Sequence, residues 1–357
     1  MRRDGSRVFH VTEAEAGLTL FAALRLWTPE QTGSETKQFI NQQRVQIDGN
    51  LCLDTRRSLK PREVVKVLPH AVAAPPSEAD IRIHFIDEYL VVIEKPSGMT
   101  TMRHEEEARW TARRKQRQAT LDELLPRVLA KEFDAESRDS RKSRGRVTNS
   151  QRVPHQVAFD LRRWRVIPVH RLDRETSGLM VFARTPAAER HLVDQFREHS
   201  IVRAYRAIVL GDIAEQTIES HLVRDRGDGK RGSTTEPESG QLAVTHVRPL
   251  EQLDGYTLIE CRLETGRTHQ IRIHLSEAGH PLCGDSEYRG PLNQMPQPDR
   301  SGTPRLALHA TELGIQHPVT GEQLQFQTKL PKDLADFLKR LRSSERPAAR
   351  TQHQPLK

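Results

Sequence analysis

Apolar residues change their spacing repeatedly along this chain, and each change marks an element. Leu18 to Trp27, with Leu20, Phe21 and Leu24, has helical spacing, and Ser34 is placed to cap a second helix carrying Phe39 and Ile40. The pattern then turns to alternation at Val45 and Ile47, with Asp48-Gly49 as a hairpin turn. Leu51, Leu53, Val64, Val65 and Val67 supply further short strands. Residues 1–17 carry no clear period and read as a lead-in, while Ala71 to Ser77 reads as a linker, because Pro75-Pro76 stiffens the chain.

Beyond the linker, Ile81, Ile83 and Phe85 alternate, Leu90 to Ile93 form an apolar run, and Lys95-Pro96-Ser97-Gly98 makes a turn. Thr120 to Ala130 predicts a helix with Leu121, Leu124, Leu125 and Leu129 on one face. It lies within residues 103–165, which hold the basic runs 113–117 and 141–146. The stretch Asp134 to Gln151 has too little apolar surface to offset the entropy of ordering it. Leu179 to Ala183 reads as a buried strand, and Thr185-Pro186 starts a helix through His199 with Leu192, Val193 and Phe196 inward. Ile201 to Gly211 is a second buried strand, Asp225 to Gly240 a surface loop, and Ala243 to Val247 and Tyr256 to Leu263 a strand pair. After a turn at Gly266, Ile271, Leu275 and Ala278 share a helical face that Gly279 and Pro281 terminate. Leu306 to Ala310 and Leu324 to Thr328 predict closing strands, Leu334 to Leu341 a last helix, and residues 343–357 a frayed tail.

Composition narrows the class. The 357 residues can bury a sizeable core and form two or three domains. A net charge of +8 and a pI near 9.6 suit a polyanionic partner, since basic side chains neutralise phosphates and release counterions. The three cysteines, Cys52, Cys261 and Cys283, lack zinc-site spacing and are too few for a disulfide framework, which points to a reducing, cytoplasmic setting. The start Met1-Arg2-Arg3-Asp4-Gly5 has no apolar core behind it, so no signal peptide is expected. No apolar run approaches the roughly 20 residues a membrane span needs.

Two polar turns carry the candidate chemistry. In His170-Arg171-Leu172-Asp173-Arg174-Glu175-Thr176-Ser177-Gly178 two arginines bracket one carboxylate, so nearby cations should favour the charged form of Asp173. Such a carboxylate can act as nucleophile or base, or belong to a surface ion-pair cluster. In Thr265-Gly266-Arg267-Thr268-His269-Gln270-Ile271-Arg272-Ile273-His274-Leu275, Arg267 at a strand-to-helix turn can present a guanidinium to a carboxylate. His170, His269 and His274 have no acidic partners at ligand spacing, so structural hydrogen bonding is favoured over a metal. No dinucleotide fingerprint, phosphate loop or metal cluster is present in the sequence, and no cofactor is expected.

These motifs resemble the RluA-type pseudouridine synthases, which act on ribosomal and transfer RNA. The likeness covers about residues 80–331. It implies Asp173 as the catalytic nucleophile, Arg267 as the arginine paired with it, and Tyr205 as the tyrosine that packs on the target base and serves as base for the final proton. It implies that Arg171 enters the stack vacated by the flipped uridine, that Thr176, Ser177 and Gly178 shape the turn, and that Leu275 walls the pocket. His170 and Arg174 join these as RNA-facing candidates. Lys95 could contact phosphate, but a structural role is favoured for the whole Lys-Pro-Ser-Gly turn, which in the family supports the catalytic loop. Residues 18–68 are similar to the alpha-L, or S-four-type, RNA-binding module, although few cations (mainly Lys37 and Arg44) mark its second helix and Arg62 stands where a turn glycine is usual.

The resulting expectation is an α+β protein: a pseudouridine synthase fold with a mixed, largely antiparallel central sheet over 81–342, preceded by a small α+β RNA-binding domain over 18–70 and a linker over 71–80. The implied reaction isomerises uridine to pseudouridine in structured ribosomal or transfer RNA, by a monomer, with no metal and no membrane. The alternatives are a non-catalytic RNA-binding or ribosome-assembly factor that keeps the fold, and a nucleoside hydrolase using Asp173.

Overall fold

The computed structural model describes residues 6–41, 44–47, 50–52, 54–61, 63–68, 76–103, 119–143, 164–227 and 229–344, with the side chains of 50–51 and 134–143 left aside. The expectations for Asp48-Gly49, Leu53, Arg62, the basic run 113–117, residues 71–75 of the linker and residues 345–357 of the tail lie outside the described residues. The chain divides into two units, Met1–Pro75 and Pro76–Lys357.

In the first unit, Arg7–His10 forms strand β1 where a lead-in was expected. Its four residues are too few to show a period, and it is held by antiparallel pairing to a distant strand. Helices α1 (Leu20–Trp27) and α2 (Gly33–Asn41) follow, then strands β2 (Val45–Ile47), β3 (Asn50–Leu51) and β4 (Val64–Val67). The sheet order is β1-β4-β2-β3, with Arg7 opposite Val67 and His10 opposite Val64. Thr32, not Ser34, caps α2: Glu35 N donates to Thr32 Oγ1 at 3.2 Å and Thr32 N donates to Glu35 Oε2 at 2.7 Å, a reciprocal capping box. Leu20, Leu24, Ile40, Val45, Leu59 and Val65 bury a separate core for this unit.

The second unit is built on one large sheet. Its elements are β5 (Arg82–Ile86), β6 (Leu90–Lys95), α3 (Leu121–Ser143), β7 (Ile167–Pro168), β8 (Ser177–Ala183), α4 (Pro186–Arg197), β9 (Val202–Leu210), β10 (Gln216–Val223), β11 (Gly232–Thr234), β12 (Gln241–Leu253), β13 (Tyr256–Leu263), α5 (Gln270–Glu277), β14 (Leu308–Gln316), β15 (Gln323–Gln327) and α6 (Lys332–Ser344). The main path runs β11-β10-β12-β13-β9-β14-β8-β6-β5, with β15 on β14 and β7 on β8. The pairing of β14 with β8 is parallel and the other pairings are antiparallel, giving a mixed, largely antiparallel sheet.

β6 and β8 show no alternation because both faces of the sheet are covered there. Val91, Ile93, Met180 and Phe182 pack on one side with Leu121, Leu125 and Leu129 of α3. Leu90, Val92, Leu179 and Val181 pack on the other with Ala188 and Leu192 of α4. Truncating any of these buried leucines to alanine should cost about 2–5 kcal/mol. Thr185 caps α4 by accepting from Ala188 N at 3.2 Å, and Pro186 opens the helix.

Several elements of the second unit depart from the sequence expectation, among them α3, β10, β11, β12 and β14. Helix α3 continues to Ser143, thirteen residues past Ala130 and into the stretch expected to lack structure, so only residues 144–151 of that stretch lie outside the described residues. The surface loop expected over 225–240 contains β11, which pairs with β10, a strand whose polar sequence hid it. β12 runs to Leu253, with a register shift between Pro249 and Glu251 that accommodates the proline.

The sheet fixes where the polar turn before β8 must sit. Lys95 pairs with Gly178 on one side, and His309 and Ala310 pair with Ser177 and Gly178 on the other. Gly178 has φ +123, and a Cβ there would lie 2.2 Å from the Ala310 carbonyl oxygen, so only glycine permits this approach.

Candidate active site

The turn preceding β8 is tied to the Lys95–Thr101 segment by backbone and side-chain bonds. Gly98 N donates to the Arg174 carbonyl at 2.7 Å, and Arg174 Nε donates back to the Gly98 carbonyl at 3.1 Å. Ser97 Oγ donates to the Glu175 carbonyl at 2.6 Å, and Thr101 Oγ1 donates to the Leu172 carbonyl at 3.0 Å. Thr176 N closes the turn on the Asp173 carbonyl at 3.1 Å. Together these bonds present the Asp173 side chain at the edge of a cleft of about 400 Å³.

Lys95 is part of that scaffold. It is 0% exposed, and its Nζ donates to the carbonyls of Met99 at 2.8 Å, Pro96 at 3.0 Å and Arg174 at 3.1 Å. Burial lowers its pKa to about 7, against the pull of Glu175 and Asp173. Of the two roles the sequence left to Lys95, its burial and three carbonyl partners support the structural turn and not the phosphate contact.

The arginine facing the carboxylate is Arg272, not Arg267. Arg272 Nη1 stands 3.8 Å from Asp173 Oδ2. Its other edge is fixed by Asp285, with Nε–Oδ2 at 2.7 Å and Nη2–Oδ1 at 3.0 Å, and Nη2 also reaches Glu287 at 3.2 Å. Burial opposes its charge, but the Asp285 hydrogen bonds and the three carboxylates raise its pKa further. The guanidinium also lies over the Tyr288 ring, 4.8 Å from its centroid. Arg267 lines the same cleft, yet its Nε donates to the Leu242 carbonyl at 2.9 Å.

The turn that carries Arg267 and leads into the helix of Arg272 is knitted by the buried Gln270. Its Oε1 accepts from Arg267 N at 3.0 Å and from Thr265 Oγ1 at 2.8 Å, while Nε2 donates to the Val244 carbonyl at 2.9 Å. His269 follows with φ +60, a left-handed conformation uncommon outside glycine, and this turns its ring toward Asp173. Nε2 lies 3.8 Å from Asp173 Oδ1, and Nδ1 lies 2.8 Å from the Tyr288 hydroxyl. Burial lowers the His269 pKa, opposed by Asp173. His269 at the helix N-cap and Arg272 in the first turn both approach the Asp173 carboxylate, each at 3.8 Å.

Tyr205 projects from β9 into the cleft and is 8% exposed. Burial raises its pKa, which Arg203 partly offsets, so the phenol is protonated at neutral pH. Arg171 is exposed at the mouth. Thr176 also lines the cleft, and its buried Oγ1 has no hydrogen-bond partner among the described residues. Apolar walls come from Ile271, Leu263 and Leu308.

Other expected site residues serve the scaffold instead. His170 touches the cleft, but its Nε2 accepts from Val181 N at 3.1 Å and its ring stacks on Phe196 at 4.5 Å. Burial, with Arg203 nearby, lowers its pKa to about 3, so it is a neutral structural imidazole. Arg174 keeps half of its side chain exposed while Nε anchors Gly98. Ser177 Oγ bonds to His309 Nδ1 at 2.8 Å and Gly178 makes the close strand pairing, so neither lines the cleft. Leu275 is 0% exposed within the core; Ile271, one helical turn earlier, takes the wall position. His274 is structural, bonded to Thr245 Oγ1 at 2.9 Å and Ser220 Oγ at 3.0 Å. Among the described residues no group of three or more His, Cys, Asp or Glu side chains could hold a metal ion, and no helix is long and apolar enough to cross a membrane.

Sequence reading missed Arg272, His269, Phe196 and Arg203 as cleft residues. The first two lay inside the recognised motif, but Phe196 and Arg203 come from α4 and β9 and carry no local signature.

Comparison with known proteins agrees with this architecture. The profile of the RNA pseudouridylate synthase family matches residues 89–277, just over half of the chain. An uncharacterized RNA pseudouridine synthase of Bacillus subtilis is 43% identical over 178 residues, covering 49% of this chain and 56% of that protein. The chain thus spans about half the length of that relative. Ribosomal large subunit pseudouridine synthase D of Escherichia coli is 29% identical over 347 residues, covering 93% of each chain. Among solved structures, human RNA pseudouridylate synthase domain containing 4 aligns with a TM-score of 0.51 at 25% identity, over 73% of this chain and 93% of that one.

Proposed function

This chain belongs to the RNA pseudouridylate synthase family, and we propose that it isomerises uridine to pseudouridine in ribosomal RNA. The observation that carries the reading is the Asp173 carboxylate at a cleft edge, 3.8 Å from an Arg272 guanidinium that Asp285 and Glu287 hold in place. A carboxylate fixed this way can attack carbon without losing its own position.

In the reaction the bond between the ribose C1′ and uracil N1 breaks, and the bond between C1′ and C5 forms. The C5 proton leaves and N1 gains one, so no redox partner or group donor is needed. Asp173 acts as the nucleophile, on the uracil ring or on C1′. Tyr205 packs against the base as it turns. Its task as base for the C5 proton works against burial, which favours the phenol over the phenolate. Arg272 steadies the carboxylate, and Arg171 at the mouth fills the stack the uridine leaves. Extruding the base costs a few kcal/mol, least in loops and bulges.

The small first unit, two helices on a four-stranded sheet, we read as an S-four-type RNA-binding domain joined through the 71–80 linker to the catalytic unit. A cytoplasmic site of action and a single-chain enzyme complete the proposal.

Pseudouridine mapping of total RNA from cells with and without this gene tests it. A ribosomal position that loses its pseudouridine and regains it on complementation with the wild type, but not with Asp173→Asn, supports the enzyme. An unchanged map, or rescue by Asp173→Asn, favours an RNA-binding or assembly factor.

A further inference from the structure

Arg203 lines the cleft, and the mechanism above does not use it. It lies on β9 two residues before Tyr205, so both side chains project from the same face of the strand, roughly 7 Å apart along it. Both line the cleft. Nη2 donates to the Glu264 carbonyl at 3.0 Å, and the guanidinium carbon stands 5.6 Å from the Phe196 ring centroid. Nε is buried with no hydrogen-bond partner among the described residues. A Cβ on Gly266 would meet Nη1 at 2.7 Å, so the glycine of the Thr-Gly-Arg turn leaves the space this nitrogen occupies.

Its charge is unmatched. Arg272 has Asp285, Glu287 and Asp173, and Arg197 has Asp194 at 3.1 Å, but no carboxylate lies within ion-pair distance of Arg203 among the described residues. Burial lowers its pKa, which Tyr205 partly offsets. Asp173 is the only acid among the described residues lining the cleft, against Arg171, Arg197, Arg203, Arg267 and Arg272. A half-buried guanidinium without an anion is costly to keep, and an incoming anion recovers that cost. Uracil is neutral. The group of a flipped nucleotide that supplies an anion is its phosphodiester, one nucleotide's reach from the base.

We infer that Arg203, held by Glu264 and Phe196 in the space left by Gly266, is a subsite for the backbone phosphate of the nucleotide whose base lies on Tyr205. This rests on the RNA-modifying reading above. The phosphate stays charged and in place throughout the isomerisation. Arg203 therefore binds substrate and transition state alike, and acts on KM rather than kcat.

The probe is ribosomal RNA labelled with tritium at uracil C5, taken from cells lacking this gene; each turnover releases the C5 label. Kinetics of the full-length wild type, Arg203→Met and Arg203→Lys are compared across a potassium chloride series. Arg203→Met should raise KM about tenfold, the loss of one charge-assisted hydrogen bond, with kcat within about twofold. Its dependence of log KM on log salt should be shallower by about 0.7, one phosphate contact on a single strand, and Arg203→Lys should restore that slope. A wild-type KM and slope in Arg203→Met, a loss confined to kcat, or a slope that Arg203→Lys fails to restore would each overturn the subsite. Should Arg203→Met not fold, a short RNA carrying the mapped site, with uncharged methylphosphonate linkages flanking the target uridine, tests the contact with wild-type enzyme. There KM should rise about tenfold, and an unchanged KM overturns the inference. No tritium release by the wild type would instead overturn the enzymatic reading itself.

Discussion

Arg272 faces Asp173 across 3.8 Å, while Arg267, five residues earlier in the same motif, spends its Nε on the Leu242 carbonyl. The two arginines should therefore fail differently. Arg272→Ala leaves Asp285 buried without its cation and should cost about 3–5 kcal/mol of stability, besides lowering kcat at least about a hundredfold. Arg267→Ala should keep a near-wild-type melting temperature and change mainly KM. Calorimetry and tritium-release kinetics on both variants separate these, and equal kcat losses would return Arg267 to the carboxylate.

Asp173→Asn keeps the shape of the side chain but removes the negative charge that the proposed nucleophile needs. Turnover should fall by at least about a thousandfold while affinity for RNA stays within about twofold, measured by single-turnover assay and filter binding. A variant with wild-type rate would remove Asp173 from its role.

Lys95→Met tests the structural role of Lys95. Three carbonyls lose their donor, so stability should drop by about 1–3 kcal/mol, read from urea melts. The salt slope of RNA binding should not move. A slope shallower by about 0.7 would mean that Lys95 touches phosphate after all.

Acid should destabilise the second unit through its buried imidazoles. Burial lowers the pKa of His170 to about 3 and those of His274 and His309 to about 4, opposed at His309 by Glu94. The unfolded chain binds these protons near the ordinary 6.5, so it holds more protons than the native state below that pH. Stability from this source is complete above about 6.5 and falls as pH drops toward 4, by about 1.4 kcal/mol per pH unit per histidine. Melting curves of wild type and His274→Gln across that window test this; a variant with an undiminished pH slope contradicts it.

Removing residues 1–75 should leave a folded second unit, because the first unit buries its own core, and should weaken binding to structured RNA with a shallower salt slope. Circular dichroism and a binding series across salt check both halves. Unchanged affinity at every salt would deny the first unit a part in RNA recognition.

Most elements of the second unit could be read locally. Apolar runs at Leu90–Ile93 and Leu179–Ala183 are long enough to announce strands buried on both faces, and Thr185-Pro186 announces a helix start. The Asp173 turn was legible as a polar stretch ahead of an apolar strand, whereas its bonds to Gly98, Ser97 and Thr101, more than seventy residues away, were not. β1 was not legible, because its order comes from pairing with Val64–Val67, nearly sixty residues away, and neither was β10, whose exposed face is polar.

By itself the sequence set out two polar turns and placed Asp173 between two arginines in one of them; the nucleophile role proposed for it, and the mixed, mostly antiparallel sheet, are what the resemblance to the pseudouridine synthases implies. The tertiary structure decided which side chains converge on Asp173. Within one motif, the left-handed His269 and the helix behind it aim Arg272 inward while Arg267 turns to Leu242, a rotation that spacing does not encode. One helical turn separates Ile271 at the wall from Leu275 in the core, and both are equally apolar in the sequence. The sequence left Lys95 either a phosphate contact or a structural turn, and the carbonyls of Pro96, Met99 and Arg174 around its buried Nζ support the turn. Arg203 and Phe196 reach the cleft only because β9 and α4 pack beside the turn before β8. Side-chain direction follows backbone register and burial, which non-local packing sets, and residue identity alone leaves open.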